Sequence, residues 1–252
     1  MSRATVRRLV LPLLVFVALV LVWEVAVVAL RIQPIVLPPP SSVVTTLVAT
    51  AGPIAFHARH TLVTTLLGFA AAVGLGLLLG FAIGASVTVN DALYPLLVGF
   101  NSIPKAAVVP LLVMWFGIGV VPAVLTAFLL AFFPVAVNVA VGLATLESEL
   151  RDVLRALGAS RWQIFRKVGV PRTMPLFFAS LKVAISSAFV GSVISETVAS
   201  NAGIGYLMAV AASDFNTRLA FGGLFVLATM GVLLYGVFAI IEQRVTGWAY
   251  TE

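Results

Sequence analysis

The chain has 252 residues, of which 62% are hydrophobic and 10% charged, with a mean hydropathy of +1.16 and a formal net charge of +6. Soluble domains average about 25% charged residues, so this composition excludes a soluble protein and marks an integral membrane one. The absence of cysteine excludes disulfides and thiolate metal sites. In a membrane chain, the basic excess points to cytoplasmic loops rather than to nucleic acid.

A helix needs about 20 apolar residues to cross a hydrocarbon core roughly 30 Å thick, and six segments qualify. The first, residues 9–30, follows the basic start MSRATVRR and is too long for a signal-peptide core, so an uncleaved span is expected. QPIVLPPPSS lies outside the hydrocarbon, because consecutive prolines cannot sustain a helix. Ser41 or Ser42 is then expected to cap a short interfacial helix, SVVTTLVATA. The second span is predicted from Thr61 to Ser86, closed by VTVNDA as a tight connection. Gly68, Ala72, Gly76, Gly80 and Gly84 recur there every fourth residue, a small-residue face that lets helices approach closely.

Residues 92–118 are apolar but interrupted by Pro95, Pro104 and Pro110, and they hold Asn101 and Lys105. They predict a third span of broken helix, tolerated where it is buried in protein or lines a watery cavity. The fourth span, 121–143, contains Pro134 and Asn138. A basic island follows, then a fifth span at 176–198, the loop SNAGIGYLMAVAASDFNT, and a sixth span at 219–241. The coarse division is an N-terminal span with its interfacial segment, 1–60, and a core, 61–252. Six crossings put Arg3, Arg7, Arg8, Arg244 and the island on one face, against Arg31, Arg59 and Arg218 on the other. By the positive-inside bias, both termini and the island are expected to be cytoplasmic.

The island, LRDVLRALGASRWQIFRKVGVPRTMP over 150–175, holds six of the fifteen basic residues: Arg151, Arg155, Arg161, Arg166, Lys167 and Arg172. Leu150, Val153, Leu154 and Leu157 share one helical face, and Gly158 follows in the position suited to a left-handed C-cap. Ser160-x-x-Gln163 reads as a capping box opening a second helix, with Trp162, Phe165 and Val168 at helical spacing, that stops before Pro171. Such a pair of helices serves either as an interfacial element against anionic lipid or as a docking element for a soluble partner.

DVLRALGASRWQIFRKVGVPRTMP resembles the cytoplasmic "EAA" loop of bacterial ABC-importer permeases, with Gly158 at the loop glycine and Val168-Gly169-Val170-Pro171 at its I/V-x-L-P ending. Asp152-Val153-Leu154 departs from it, standing where Glu-Ala-Ala is usual. PPPSSVVTTL, KAAVVPLLVMWFGIG, SETVASNAGIGYLM and EQRVTGW are similar to the nitrate/sulfonate/taurine branch of the same permeases, over roughly residues 36–248. The resemblance implies an all-α, polytopic bacterial inner-membrane protein with the type I ABC-importer permease fold. It further implies a second permease subunit, a cytoplasmic ABC ATPase dimer that binds the ATP, and a periplasmic or lipid-anchored substrate-binding protein. On that reading the loop at about 147–173 meets the ATPase through Arg151, Asp152, Arg155, Ala156, Gly158, Ala159, Ser160, Arg161 and Phe165.

Inside the membrane, Asn101, Lys105, Asn138 and Glu196 are candidates for the translocation path or its gate. A carboxylate at membrane depth faces a bundle interior or a watery cavity, so Glu196 either serves an outer gate or anchors a hydrogen-bond network. Lys105 either meets an anionic solute or caps broken-helix carbonyls. Lys182, near the cytoplasmic end of the fifth span, can snorkel. His57 and His60 share a face, but with no third ligand nearby an interfacial pair is expected rather than a metal site. The chain lacks G-x-x-x-x-G-K-[ST], H-E-x-x-H and G-x-S-x-G, so neither a cofactor nor enzymatic activity of its own is expected. The alternative is a secondary transporter driven by an ion gradient, which would normally carry matching repeats in its two halves.

Overall fold

The structure is a computed structural model that describes residues 3–144 and 153–250. Among the described residues the chain is helical, with no strand. The helices are α1 (Arg3–Ala29), α2 (Pro40–Ala49), α3 (Ala51–Ala85), α4 (Val87–Asn101), α5 (Lys105–Phe116) and α6 (Val120–Ala144). Beyond the island's first turn come α7 (Arg161–Ile164), α8 (Val170–Ala199), α9 (Ile204–Ser213) and α10 (Thr217–Thr246). Five helices are long and apolar enough to cross a membrane, and the bent pair α4–α5 makes up to six. This is a multi-pass membrane protein.

The core is the seam between α3, α6 and α8, around Phe69, Ala72, Ala131, Val135, Val139, Ala184, Ile185 and Ala188. The small face of α3 makes that seam. A Cβ added at Gly68 would stand 2.5 Å from Ala127 Cβ, at Gly76 2.8 Å from Val135, at Gly80 2.6 Å from Val139, and at Gly84 2.7 Å from Leu143. Backbone approach this close needs residues without side chains, and in a membrane van der Waals packing of this kind is a main source of helix association. Gly80→Ala would press on Ala136 O at 2.7 Å, a backbone atom that cannot rotate away. The expected cost is about 1–3 kcal/mol, read as a lower Tm of the detergent-solubilised protein. Gly74→Ala, whose Cβ would meet nothing within 4 Å, should be neutral or slightly stabilising.

The same contacts fix the topology. Each step of four residues along α3 meets a step of four in the same direction along α6, so the two helices run parallel. The chain must therefore return across the bundle between Ala85 and Val120. That return is α4 and α5, which meet at an 88° bend. The broken third span is thus a real crossing. Its break falls at Ser102–Pro104, while Pro95 and Pro110 are absorbed within their helices. VTVNDA is the first turns of α4, not a connection: Ser86 caps it, its hydroxyl accepting from Val89 N at 3.4 Å. The second span also begins earlier than predicted, at Ala51, so the division at residue 60 falls inside one unbroken helix.

Two further expectations change. Neither Ser41 nor Ser42 caps α2 with its own side chain. Glu24 of α1 does so from outside, accepting from Ser41 N at 3.0 Å and from Ser41 Oγ at 2.7 Å. A carboxylate held at a helix N-terminus also complements the helix dipole. Beside it, the Trp23 ring lies 5.7 Å and 5.9 Å from those of Phe221 and Phe225 in α10. Most of the loop predicted after the fifth span is helix α9, which packs on α3, α8 and α10.

α8 runs antiparallel to α6, since Gly191 lies against Ala127 and Thr173 against Gly142. α10 runs antiparallel to α8, with Gly231 beside Phe189 and Glu242 paired to Lys182. Lys182 therefore forms an ion pair within the helix packing instead of merely snorkelling; its side chain is 21% exposed and that of Glu242 8%. Lys182→Met alone would remove the ammonium paired to a buried carboxylate, at an expected cost of about 3–5 kcal/mol. Combining it with Glu242→Met should recover most of the lost thermal stability.

Candidate functional site

The island's geometry begins with its turn. Residues 153–156 are helical, and Gly158 follows with φ +82°. Gly158 N donates to Arg155 O at 2.9 Å and Ala159 N to Leu154 O at 3.0 Å. This bond pair is a Schellman cap, with glycine in the left-handed position. One residue on, Ser160 N donates to Gln163 Oε1 at 2.8 Å and Gln163 N to Ser160 Oγ at 3.2 Å, the reciprocal capping box that opens α7 at Arg161. Two caps back to back make a rigid corner.

The second helix does not stop before Pro171. Residues Phe165–Gly169 form a π-turn, in which Val170 N donates to Phe165 O, and the helix continues as α8. Proline has no N–H to place in an α-helical ladder, and the widened turn passes it without ending the helix. The island is therefore continuous with a membrane-spanning helix. Phe165 ties it to the bundle from the side, its ring 5.9 Å from Phe81 of α3 and stacked at 5.5 Å on Trp162. Ile164 is buried beneath.

Outward, the island presents Val153, Leu157 and Trp162, which are 56%, 78% and 66% exposed. Arg155, Ala156, Gly158, Ser160, Arg166 and Lys167 are exposed around them, and Ala159 is half-buried. Arg151 and Asp152 lie outside the described residues. An apolar patch with a basic rim has the composition of a surface that meets a partner.

At the opposite end of the bundle, Glu196 is 1% exposed and lies in a polar knot. It accepts from Thr61 Oγ1 at 2.8 Å and Gly205 N at 3.1 Å, with longer contacts at 3.4 Å from Thr64 and Ser192. His60 Nδ1 stands 3.5 Å from its other oxygen. The knot closes on the first turn of α9. Gly203 N donates to His57 Nδ1 at 3.1 Å and Ile204 N to Thr61 Oγ1 at 2.9 Å. Gly203, at φ +107°, has no room for a Cβ, which would fall 2.1 Å from Glu196 Cδ. His57 is thus hydrogen-bonded into the knot and His60 stands beside its carboxylate, and among the described residues no cluster of three or more potential metal ligands exists.

The remaining path candidates are spread out. Lys105 opens α5 and donates to the carbonyl and side-chain oxygens of Asn101, the latter at 2.8 Å, so the ammonium caps the C-terminal end of α4 across the break. Asn138 donates to Pro134 O at 2.8 Å within α6. The structure brings Asn101 and Lys105 together, and among the described residues no hydrogen bond joins Asn138 or Glu196 to them.

Residues 72–247 match the family model described as binding-protein-dependent transport system inner membrane component. The chain belongs to that family. The formylaminopyrimidine transport permease ThiX of Halalkalibacterium halodurans is 31% identical, over 94% of this chain and 95% of its own. The taurine permease TauC of Escherichia coli is 30% identical over 96% and 90%, and the putative aliphatic sulfonates permease SsuC of Bacillus subtilis 29% over 94% and 86%. Inward-facing structures of the MetNI methionine ABC transporter share the fold, with a TM-score of 0.59 at 22% identity over 74% of this chain and 91% of the matched one. The family is one of transport permeases rather than catalytic subunits.

In this permease, the sequence reading of Glu196 lacked its companions. Thr61, Thr64 and Ser192 complete the knot, yet only Glu196 and the two histidines stand out along the chain, because a carboxylate in an apolar span is costly while a threonine is ordinary. One signal was available: Thr61, Thr64 and Ser192 sit among apolar neighbours on faces that a small-residue count alone assigns to packing.

Proposed function

We propose that this permease forms, with a second copy of itself, the translocation path of an ATP-driven importer in a bacterial inner membrane, with both termini and the island in the cytoplasm. A cytoplasmic ABC ATPase dimer docks one subunit on each island, and a periplasmic or lipid-anchored binding protein delivers the solute. The observation that carries the reading is the island's construction: a doubly capped corner, apolar at its centre and basic at its rim, continuous with α8 and braced on α3 by Phe165. A push on such a corner moves a spanning helix rather than a loop. Arg151, Asp152, Arg155, Ala156, Gly158, Ala159, Ser160, Arg161 and Phe165 belong to that docking element.

The α4–α5 break, with Asn101 and Lys105, and Asn138 on α6 are assigned to the path, and Glu196 to its outer gate as the anchor of α9. The named solutes of the relatives support a small organic or anionic solute, such as a sulfonate, taurine, a pyrimidine precursor or a riboflavin-like compound. Purification of the tagged chain from native membranes tests the proposal. Co-recovery of an ABC ATPase, with uptake that requires ATP, supports it. A chain that purifies alone and moves solute into liposomes down an ion gradient overturns it.

A further inference from the structure

The knot at the outer end has a property that its hydrogen bonds alone determine. Three successive backbone N–H groups at the start of α9, those of Gly203, Ile204 and Gly205, are each satisfied by a side chain from another helix: His57, Thr61 and Glu196. The first N–H groups of a helix have no partner within it, so these three side chains are what holds α9 in place at that end. Thr61 and Glu196 also bond each other, which locks two of the three acceptors together.

We infer that His57 is a positioning residue that fixes α9 through Gly203 and releases that contact when it takes up a proton. The chemistry is that of the imidazole. Its Nδ1 can accept from Gly203 N only while it carries no hydrogen, whereas an imidazolium has N–H at both nitrogens and no acceptor left. A positive charge at a helix N-terminus is also opposed by the helix dipole. The titratable groups around His57 are His60, one turn on in α3, Glu196 from α8 and Tyr206 from α9, whose ring lies 5.9 Å away. His60 faces the Glu196 carboxylate, at 3.5 Å, rather than an N–H of α9. The two histidines can therefore be separated by substitution. The consequence for transport rests on the reading that α9 belongs to the outer gate; the hydrogen-bond switch itself does not.

Hydrogen–deuterium exchange of the full-length permease in lipid vesicles, corrected for intrinsic rate, tests it on the segment 203–209. Between about pH 7.5 and pH 4.5, a window that extends below the ordinary imidazole range, wild-type protection should fall about five- to tenfold. His57→Gln, whose amide oxygen accepts at any pH, should hold protection constant across that range. His60→Gln should leave the wild-type loss intact. Unchanged wild-type protection at the two pH values would overturn the inference, and so would a loss that disappears in His60→Gln. Should His57→Gln not insert, the wild-type and His60→Gln profiles still decide. None of these measurements needs an ATPase or a known solute, so their failure is separate from any failure of the importer reading.

Discussion

Gly158→Glu is expected to abolish ATP-dependent uptake while the chain still inserts and folds. Nothing lies within 4 Å of a Cβ at Gly158, so the side chain has space. Its backbone, however, sits at φ +82°, where a non-glycine residue costs roughly 1–2 kcal/mol. That strain falls on a single Schellman cap, far from the α3–α6–α8 seam that holds the bundle. The loss of function would arise outside the chain: the new carboxylate projects beside Leu157 and Arg155, into the contact face proposed for the ATPase. Gly158→Ala separates the two effects. It carries the same strain without bulk or charge, and it should retain uptake within about thirtyfold of wild type, the factor that corresponds to about 2 kcal/mol. Co-purification of the ATPase should survive Gly158→Ala and fail with Gly158→Glu. Normal uptake by Gly158→Glu would remove the docking assignment.

Glu196→Ala should be among the most destabilising single changes in the membrane region. It leaves Gly205 N without its acceptor and Thr61 Oγ1 with only the carbonyl of His57 at 3.2 Å, it opens a cavity where the side chain stood, and an unsatisfied buried group alone costs about 1–3 kcal/mol. A total of about 3–5 kcal/mol is expected, at the upper end for a point substitution. The measured sign would be a large fall in Tm and in the folded fraction recovered from detergent. Glu196→Gln keeps one carbonyl oxygen and the shape of the side chain, but it brings an NH2 donor toward groups that already donate. It should lose less, about half as much on the same scale. If both variants fold like wild type, the knot is not what anchors α9. If Glu196→Gln folds well yet fails in uptake, the carboxylate has a role in gating beyond its structural one.

How much of this was legible along the chain depends on the range of the interaction. The spans, the small face of α3 and the two caps of the island are local. Their information lies within three to seven residues, because helix periodicity brings those positions onto one face. Gly158 and the Ser160–Gln163 box therefore appear in the structure as read. The helical nature of VTVNDA and of most of SNAGIGYLMAVAASDFNT was missed for a related reason: Asn, Asp, Ser and Gly suggest turns, while the packing of α9 on three neighbours overrides that preference.

The sequence by itself determined that this is a membrane protein of about six spans with one basic, cap-defined corner, since hydropathy and capping are properties of contiguous residues. The tertiary structure alone decided three things. The parallel pairing of α3 with α6 obliges the broken α4–α5 pair to cross; the π-turn carries the helix past Pro171 and makes the island part of α8; and Thr61 meets Ile204 across 143 positions of chain to complete the cap of α9. Each depends on which faces meet in space, and a periodic pattern names a face without naming its partner.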